Sequence, residues 1–397
     1  MTPEIRLKSL KYCERQGKDL AWSLDHLVLG QFNLLVGKNA TGKTRAINVI
    51  GNLANTFLRE GNVVAANAGY EVEFSDGTTT TNYELIIEDG NVKRERLAVD
   101  GKDMLVRDSN RLKIYAVEEE KNISFIPSPT QIAAVARRDE LQHPFLNPLH
   151  AWADAVRIYH FGANLGKDSF SMTIDNSVGN IATNLRKLDD RHEDAVVATF
   201  SKAQKEYGGV FVQRVITDMK SLGYDLLDID VSTPAGVKLQ SSAPVLGVLN
   251  AIAVMEAGVQ GWIHQNAMSQ GMFRAFSIIA QVNYSQLASR ATCILIDDIG
   301  EGLDFDRSSR LIEVLREKSQ SSDFQLIMTT NDRFVMNHVP LDEWSVLQRT
   351  GAEVKVKNVH NSREQFEEFK FIGMSNFSLL EMDFLNEATV GAESDVS

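Results

Sequence analysis

The chain has 397 residues, 43% of them apolar, and a formal net charge of −12, enough length and apolar content for one large domain or two with a buried core. The charge argues against a surface that binds nucleic acid indiscriminately. No uncharged apolar run reaches the length of a membrane span, and no basic-then-apolar amino terminus marks a secretory signal, so a cytoplasmic protein with no membrane partner is expected. Two cysteines, Cys13 and Cys293, cannot build a disulfide framework.

Residues 4–12 alternate apolar and polar, the period of a half-buried strand, and Gln16-Gly17-Lys18 reads as the turn of a hairpin. That hairpin leads into the stretch around which the chain is organised. Phe32 to Val36 is a short apolar run, and Gly37 to Thr44 matches G-x-x-x-x-G-K-[ST]. Gly37 and Gly42 allow turns that a Cβ would obstruct, so successive N–H groups converge on phosphate. Lys43 reaches the β- and γ-phosphates, and Thr44 offers its hydroxyl to Mg²⁺. From Arg45 to Phe57 apolar residues recur at helical spacing, which places a helix N-terminus behind the loop. The nucleotide contact set is therefore Gly37, Lys38, Asn39, Ala40, Thr41, Gly42, Lys43, Thr44 and Arg45, with ATP and Mg²⁺ as cofactors. Tyr12 precedes the loop at a distance where some ATPases stack adenine, but a strand tyrosine at the core edge is the plainer reading.

Beyond Leu58, β-rich pieces at 70–74, 83–87, 92–99 and 112–117 are separated by Ser75-Asp76-Gly77, Asp89-Gly90 and Asp100-Gly101, which predicts an antiparallel meander. Lys93, Arg94 and Arg96 leave a local basic patch open, though a solvated edge is the simpler account. Pro127, Pro129, Pro144 and Pro148 mark loops and short helices over Trp152 and Phe161. Residues 181–222 read as at most two helices, with Gly223 as a C-cap, and lack the sustained heptads of a long-armed chromosome-structuring ATPase. Strand patterns return at 226–231 and an apolar run at 247–259. The last third alternates strand (293–296), helix (309–318) and strand (324–328), the pattern of parallel β-α units.

The run from Cys293 to Ile296 ends in Asp297 and Asp298, which puts two carboxylates at the carboxyl edge of a core strand, where ligands of parallel sheets sit. Asp297 is expected at the exposed strand end, holding Mg²⁺ opposite Thr44, and Asp298 polarising the attacking water. A strand that simply ends in an acidic turn is the alternative. Asp228 and Asp230, and Asp304 and Asp306, form D-x-D pairs for which ordinary strand-end or turn placement is expected.

Asp297 to Asp304 resembles the D-E-P-x-x-x-L-D stretch of ABC-type ATPases, and Ser269 to Arg274 resembles their S-x-G-x-x-R signature, in the same order along the chain. The resemblance spans nearly the whole chain and is closest to the RecF/SMC-like and overcoming-lysogenization-defect-like ATPases of bacterial repair and phage defence. It implies an α/β fold: an ABC-type P-loop NTPase with an N-terminal antiparallel meander, a parallel-rich core sheet and a short helical insertion. The expected division is an N-terminal lobe at 1–160, an insertion or lid at 161–245, a C-terminal lobe at 246–385 and a disordered acidic tail at 386–397.

The resemblance further implies a head-to-tail homodimer in which Ser269 and Gly271 contact the γ-phosphate held by the second subunit, and it puts Asn331 where relatives carry a switch histidine. Asp298 stands where a glutamate is usual and Asn331 cannot ionise, and both departures imply slow turnover, suited to a switch. A lid-loop glutamine is expected at Gln131 or Gln142. The favoured function is the sensor or regulatory ATPase of a bacterial anti-phage module with a separate effector protein. The rivals are a RecF-like ATPase acting on DNA, a transporter's nucleotide-binding subunit and a single-chain nuclease.

Overall fold

The computed structural model describes residues 5–168, 171–173, 195–233, 248–289, 292–321 and 324–385. The helical expectation at 181–194, the start of the apolar run at Gly247 and the tail at 386–397 lie outside them. The expected N-terminal hairpin is formed by β1 (Arg6–Glu14) and β2 (Trp22–Val28), and β3 (Phe32–Val36) then enters the phosphate loop and α1 (Lys43–Leu58). The meander has six strands: β4 (Ala68–Ser75), β5 (Thr80–Glu88), β6 (Asn91–Val99), β7 (Lys102–Asp108), β8 (Arg111–Ala116) and β9 (Lys121–Phe125). Two of them, β7 and β9, are additional to the expected set, because charged residues at their ends interrupt the alternation on which a strand reading depends. The basic residues of β6 are not on an edge. The strand pairs with β5 on one side and β7 on the other, Arg94 is paired with Glu84 and Arg96 with Asp103.

The proline-marked stretch contains α2 (Ala133–Ala136) and α3 (Asn147–Ala155), followed by the unanticipated strand β10 (Val156–His160) and then β11 (Ser171–Thr173). It is tied to the meander by a buried carboxylate. Glu95, fully enclosed, accepts the Ala133 and Ala134 N–H groups at 2.7 and 2.8 Å and the Tyr83 hydroxyl at 3.1 Å. Burial pushes its carboxyl up, and these donors together with the Arg107 guanidinium oppose the push. Arg107 itself donates to the Gln131 and Ser128 carbonyls.

The insertion carries α4 (Val196–Ser221), broken at Gly208, and β12 (Leu226–Ser232). Gly223 ends α4 in the left-handed region, with its own N–H on the Lys220 carbonyl and the Tyr224 N–H on that of Met219, the two bonds of a Schellman motif. Then follow β13 (Val248–Glu256), β14 (Ile263–His264), α5 (Gln270–Leu287), β15 (Cys293–Asp297), α6 (Phe305–Gln320), β16 (Gln325–Thr329), α7 (Arg333–His338), β17 (Trp344–Thr350), β18 (Glu353–Lys357), α8 (Arg363–Ile372) and α9 (Ser378–Glu381).

One sheet runs β10-β15-β16-β3-β17-β18-β2-β1-β4-β5-β6-β7-β8-β9, and β11, β13, β12 and β14 form a second, small one. The first five strands of the large sheet are parallel and the meander end is antiparallel. β3, β15 and β16 are buried at every residue, as a parallel sheet covered on both faces requires. Their alternate side chains enter two cores. Leu34, Ile294, Ile296 and Met328 pack with α4, α5 and α6, while Leu35, Leu295 and Ile327 pack with α1, α3 and the meander. This three-layer arrangement aligns the carboxyl ends of β10, β15, β16 and β3 along one edge.

Candidate nucleotide site

The phosphate loop leaves β3 at Gly37, where backbone geometry leaves no alternative to glycine. Its φ is +158°, and a Cβ would stand 2.6 Å from the Leu347 carbonyl and 2.7 Å from the Thr41 hydroxyl. Gly42, at φ +103°, turns the chain into α1 with Trp22 directly beneath it. Lys43 is 7% exposed and donates to the Gly37 carbonyl at 2.8 Å and the Lys38 carbonyl at 3.3 Å, which holds its ammonium across the loop. Burial lowers its pKa, and the nearby Asp298 and Asp297 oppose the shift. Lys38, Asn39 and Ala40 are exposed and Thr41 is buried, its hydroxyl donating to the Lys38 carbonyl at 2.9 Å. Arg45 lies over the Trp22 ring at 4.4 Å and pairs with Glu14. Tyr12 is enclosed between Trp22 and Tyr70 and donates to Glu14 at 2.8 Å, the core-edge placement expected of it.

Facing the loop, Asp297 closes β15. It is 5% exposed, not at an exposed strand end as its position in the sequence suggests, because Thr44 of α1 and Thr329 of β16 close over it. Its Oδ1 accepts the Thr44 hydroxyl at 3.1 Å and the Thr329 hydroxyl at 2.6 Å. The Thr329 oxygen in turn accepts the Asp298 N–H at 2.8 Å, and the Thr329 carbonyl accepts the Ile299 N–H at 2.9 Å. One residue therefore positions both carboxylates, and it holds Asp298 in the left-handed region at φ +54°. Asp298 is half-buried and takes a hydrogen bond from Asn331 Nδ2 at 3.0 Å. Burial raises its pKa, as do Asp297 and Glu301, while Lys43 and Asn331 lower it.

A hydroxyl and a carboxylate converging from two elements suit Mg²⁺, a hard cation that takes one or two protein oxygens and completes its shell with phosphate and water. Among the described residues no group of three or more His, Cys, Asp or Glu side chains could hold a metal by itself.

Lys43, Thr44, Asp297, Asp298 and Asn331 are thus brought together. Ser269 and Gly271 are placed elsewhere. Ser269 caps α5 by accepting the Met272 N–H at 3.1 Å, and a Cβ on Gly271 would stand 2.7 Å from the Gly302 carbonyl, so the signature packs on the loop that follows Asp298 in its own chain. Among the described residues no hydrogen bond joins either residue to the phosphate loop. Arg274, 8% exposed, spans the same joint, donating to the carbonyls of Glu301 (2.9 Å), Gly162 (2.6 Å) and Ala163 (3.2 Å).

Neither Gln131 nor Gln142 approaches the loop. Gln131 bridges to Asn62, and the Gln142 carbonyl accepts the Val117 N–H beside the meander. The residue at that edge is His160, the last of β10, in register with Asp297 and with its Nε2 3.4 Å from Asn48, one helical turn beyond Thr44. His160 and Thr329 were missed in the sequence. The available signal was a polar residue closing a short strand-like run, but it acquires meaning only through strand register. Asp228 and Asp230 lie on the exposed face of β12, each accepting the next residue's N–H, and Asp304 caps α6, so the D-x-D pairs take ordinary structural roles. No helix among the described residues is long and apolar enough to cross a membrane.

The structure of an SMC head bound to the C-terminal winged-helix domain of ScpA superposes with a TM-score of 0.51 at 13% identity, covering 91% of this chain and 99% of that one. An SMC head with an extended coiled coil from Pyrococcus furiosus, also bound to the ScpA C-terminal domain, scores 0.46 at 12% identity over 92% of this chain and 100% of that one. The SMC head domain from Thermotoga maritima scores 0.44 at 13% identity over 89% and 99%. No curated protein matches the chain. Residues 32–337 match the family described as "AAA domain, putative AbiEii toxin, Type IV TA system", and the chain belongs to that family of ABC-type P-loop ATPases of the RecF/SMC type.

Proposed function

We propose that the chain binds ATP with Mg²⁺, hydrolyses it slowly and closes on a second copy head to tail, acting as the sensor or regulatory subunit of a bacterial anti-phage module whose effector is a separate protein. The observation that carries the reading is the convergence of Lys43, Thr44, Asp297 and Asp298 on one edge of the parallel sheet, with Thr329 linking the two carboxylates. The loop N–H groups and Lys43 would bind the phosphates. Thr44 and Asp297 would hold Mg²⁺, which when bound neutralises charge on the transferring phosphoryl group. Asp298 would orient the attacking water, with Asn331 fixing its carboxylate through a single neutral hydrogen bond. A carboxylate one methylene shorter than glutamate and a switch residue that cannot carry a proton both favour slow turnover.

Ser269 and Gly271 would contribute through a second copy; in their own chain Ser269 caps α5 and Gly271 packs against the loop after Asp298. The toxin–antitoxin description of the family supports a defence role, and the relative whose head holds a winged-helix domain supports readout through another protein. The division into an N-terminal lobe at 1–160, an insertion at 161–245 and a C-terminal lobe at 246–385 is retained as part of this proposal.

The deciding experiment is light scattering of the Asp298→Asn protein with and without Mg·ATP, beside turnover of the wild type. ATP-dependent dimers and slow phosphate release support the reading. A monomer under both conditions refutes the dimer, and hydrolysis stimulated by DNA would favour the RecF-like alternative.

A further inference from the structure

The segment from Arg363 to Leu385 carries four large apolar side chains in solvent: Phe371 is 93% exposed, Ile372 48%, Met374 45% and Met382 54%. The segment is firmly packed. Phe366, Phe369, Leu379 and Leu385 enter the core, Phe369 and Phe384 stack edge to face at 5.2 Å, and Asn376 donates to the Val339 carbonyl at 2.8 Å. Apolar groups held outward on a rigid support are the usual mark of an interaction surface.

The same segment is acidic, with Glu364, Glu367, Glu368, Glu381 and Asp383 against Arg363 and Lys370, and Lys370 is engaged by Asp342 and Glu367. It also reaches the phosphate loop. Asp383 pairs with Lys38 at 2.5 Å, and a cleft of about 480 Å³ separates loop residues 37–41 from Leu379, Leu380 and Asp383.

We propose that this surface docks a basic, apolar-faced helix or segment of a separate protein, and that nucleotide gates the docking through Lys38 and Asp383. Charge selects the occupant. The chain's own residues 386–397 contain Glu387, Glu393 and Asp395 and no Lys or Arg, so an acidic segment does not attract them. A partner with Lys or Arg flanking apolar anchors satisfies both the rim and the patch. The gating half rests on the ATP-binding reading: phosphate in the loop competes with Asp383 for Lys38, which changes how the segment is anchored.

The test uses the full-length chain and a fluorescent synthetic Leu/Lys amphipathic helix, with a Leu/Glu helix of the same apolar pattern as control. Anisotropy is read with and without Mg·ATP, and nucleotide affinity is measured separately by calorimetry. The Leu/Lys helix is expected to bind and the Leu/Glu helix not. Phe371→Ser/Met374→Ser, at exposed positions that leave the fold intact, is expected to weaken binding about tenfold. Mg·ATP is expected to shift the wild-type affinity, and Asp383→Asn to abolish that shift while still binding ATP. Equal affinity of the wild type and the double variant overturns the surface. A double variant that loses self-association and keeps peptide binding makes a second copy the occupant, and overturns it too. No nucleotide shift in a protein that calorimetry shows to bind ATP overturns the gating. Failure to bind ATP removes the functional reading, while patch dependence of peptide binding is still measured without nucleotide.

Discussion

Replacing Thr329 by valine separates the hydroxyl from everything else the residue does. Valine has nearly the same shape and suits a strand, so the wholly buried position at the end of β16 stays filled. What disappears is the 2.6 Å bond to the Asp297 carboxylate and the acceptor 2.8 Å from the Asp298 N–H. A hydrogen bond to a charged group contributes about 1.5–3 kcal/mol, and an unpaired buried donor costs about 1–3 kcal/mol. Thr44 still reaches Asp297, and half-buried Asp298 has access to water, so the expected loss of stability is about 2–4 kcal/mol. Turnover should suffer separately. With Asp298 no longer held at φ +54° by Thr329, its carboxylate drifts, and a displacement of about 1 Å in a reacting group costs about 100-fold. The Mg²⁺ concentration for half-maximal rate should rise, while ATP affinity, set by the loop, changes little. Thr329→Ser keeps the hydroxyl and loses a methyl group, so it should cost about 1 kcal/mol of stability and retain turnover. Denaturant unfolding and steady-state hydrolysis across a Mg²⁺ titration measure these effects. A valine variant with wild-type rate and metal dependence would show that the hydroxyl positions nothing.

Lys43→Ala should abolish ATP binding by calorimetry with an unchanged circular dichroism spectrum, since the ammonium contacts only loop carbonyls and no core side chain. Asp298→Asn should retain Mg·ATP and slow its cleavage by about 100-fold or more, whereas Asp297→Asn should weaken Mg²⁺-dependent binding as well; wild-type turnover in Asp298→Asn would remove that residue from the chemistry. Ser269→Arg should block ATP-dependent dimers in light scattering while the monomer still binds ATP. Glu95→Ala, which orphans the Ala133 and Ala134 N–H groups and leaves Arg107 unopposed, should cost about 3–5 kcal/mol in denaturant unfolding with little effect on nucleotide affinity.

The features visible in the sequence are those whose physics is local. Phe32–Val36, Cys293–Asp297 and Gln325–Thr329 read as strands because a parallel sheet buried on both faces demands unbroken apolar runs. Three of the five meander turns were visible because Asp76-Gly77, Asp89-Gly90 and Asp100-Gly101 suit their backbone angles, whereas the turns at Ser109-Asn110 and at 117–120 carry no such pair, although Ser109 and Glu120 also take positive φ. Strands of the other kind were hidden. Lys102–Asp108 begins and ends in charge, Glu353–Lys357 alternates it, and Val156–His160 sits behind four prolines that argue for loops. In each case pairing with neighbours, not the segment's own pattern, makes the strand.

The site divides along the same line. Gly37, Gly42, Lys43 and Thr44 serve one continuous turn of backbone, so their spacing carries their chemistry. Thr329, His160 and Asp383 act by standing beside residues distant in the chain, and only sheet order and register place them there: β16 next to β15 puts Thr329 against Asp297, and β10 on the other flank puts His160 level with it. The misreading of Asp297 as exposed has this origin. A carboxylate that ends a strand looks solvent-bound in isolation, yet here one neighbouring strand and one helix each deliver a hydroxyl to it, and the enclosure fixes the orientation of a charge at a sheet edge. The adjacent Asp298, identical in type and one residue on, escapes that enclosure because the chain turns left-handed there. Two neighbouring aspartates thereby take different environments, the buried one suited to holding a metal ion and the half-buried one, with burial and like charge raising its pKa, suited to orienting water.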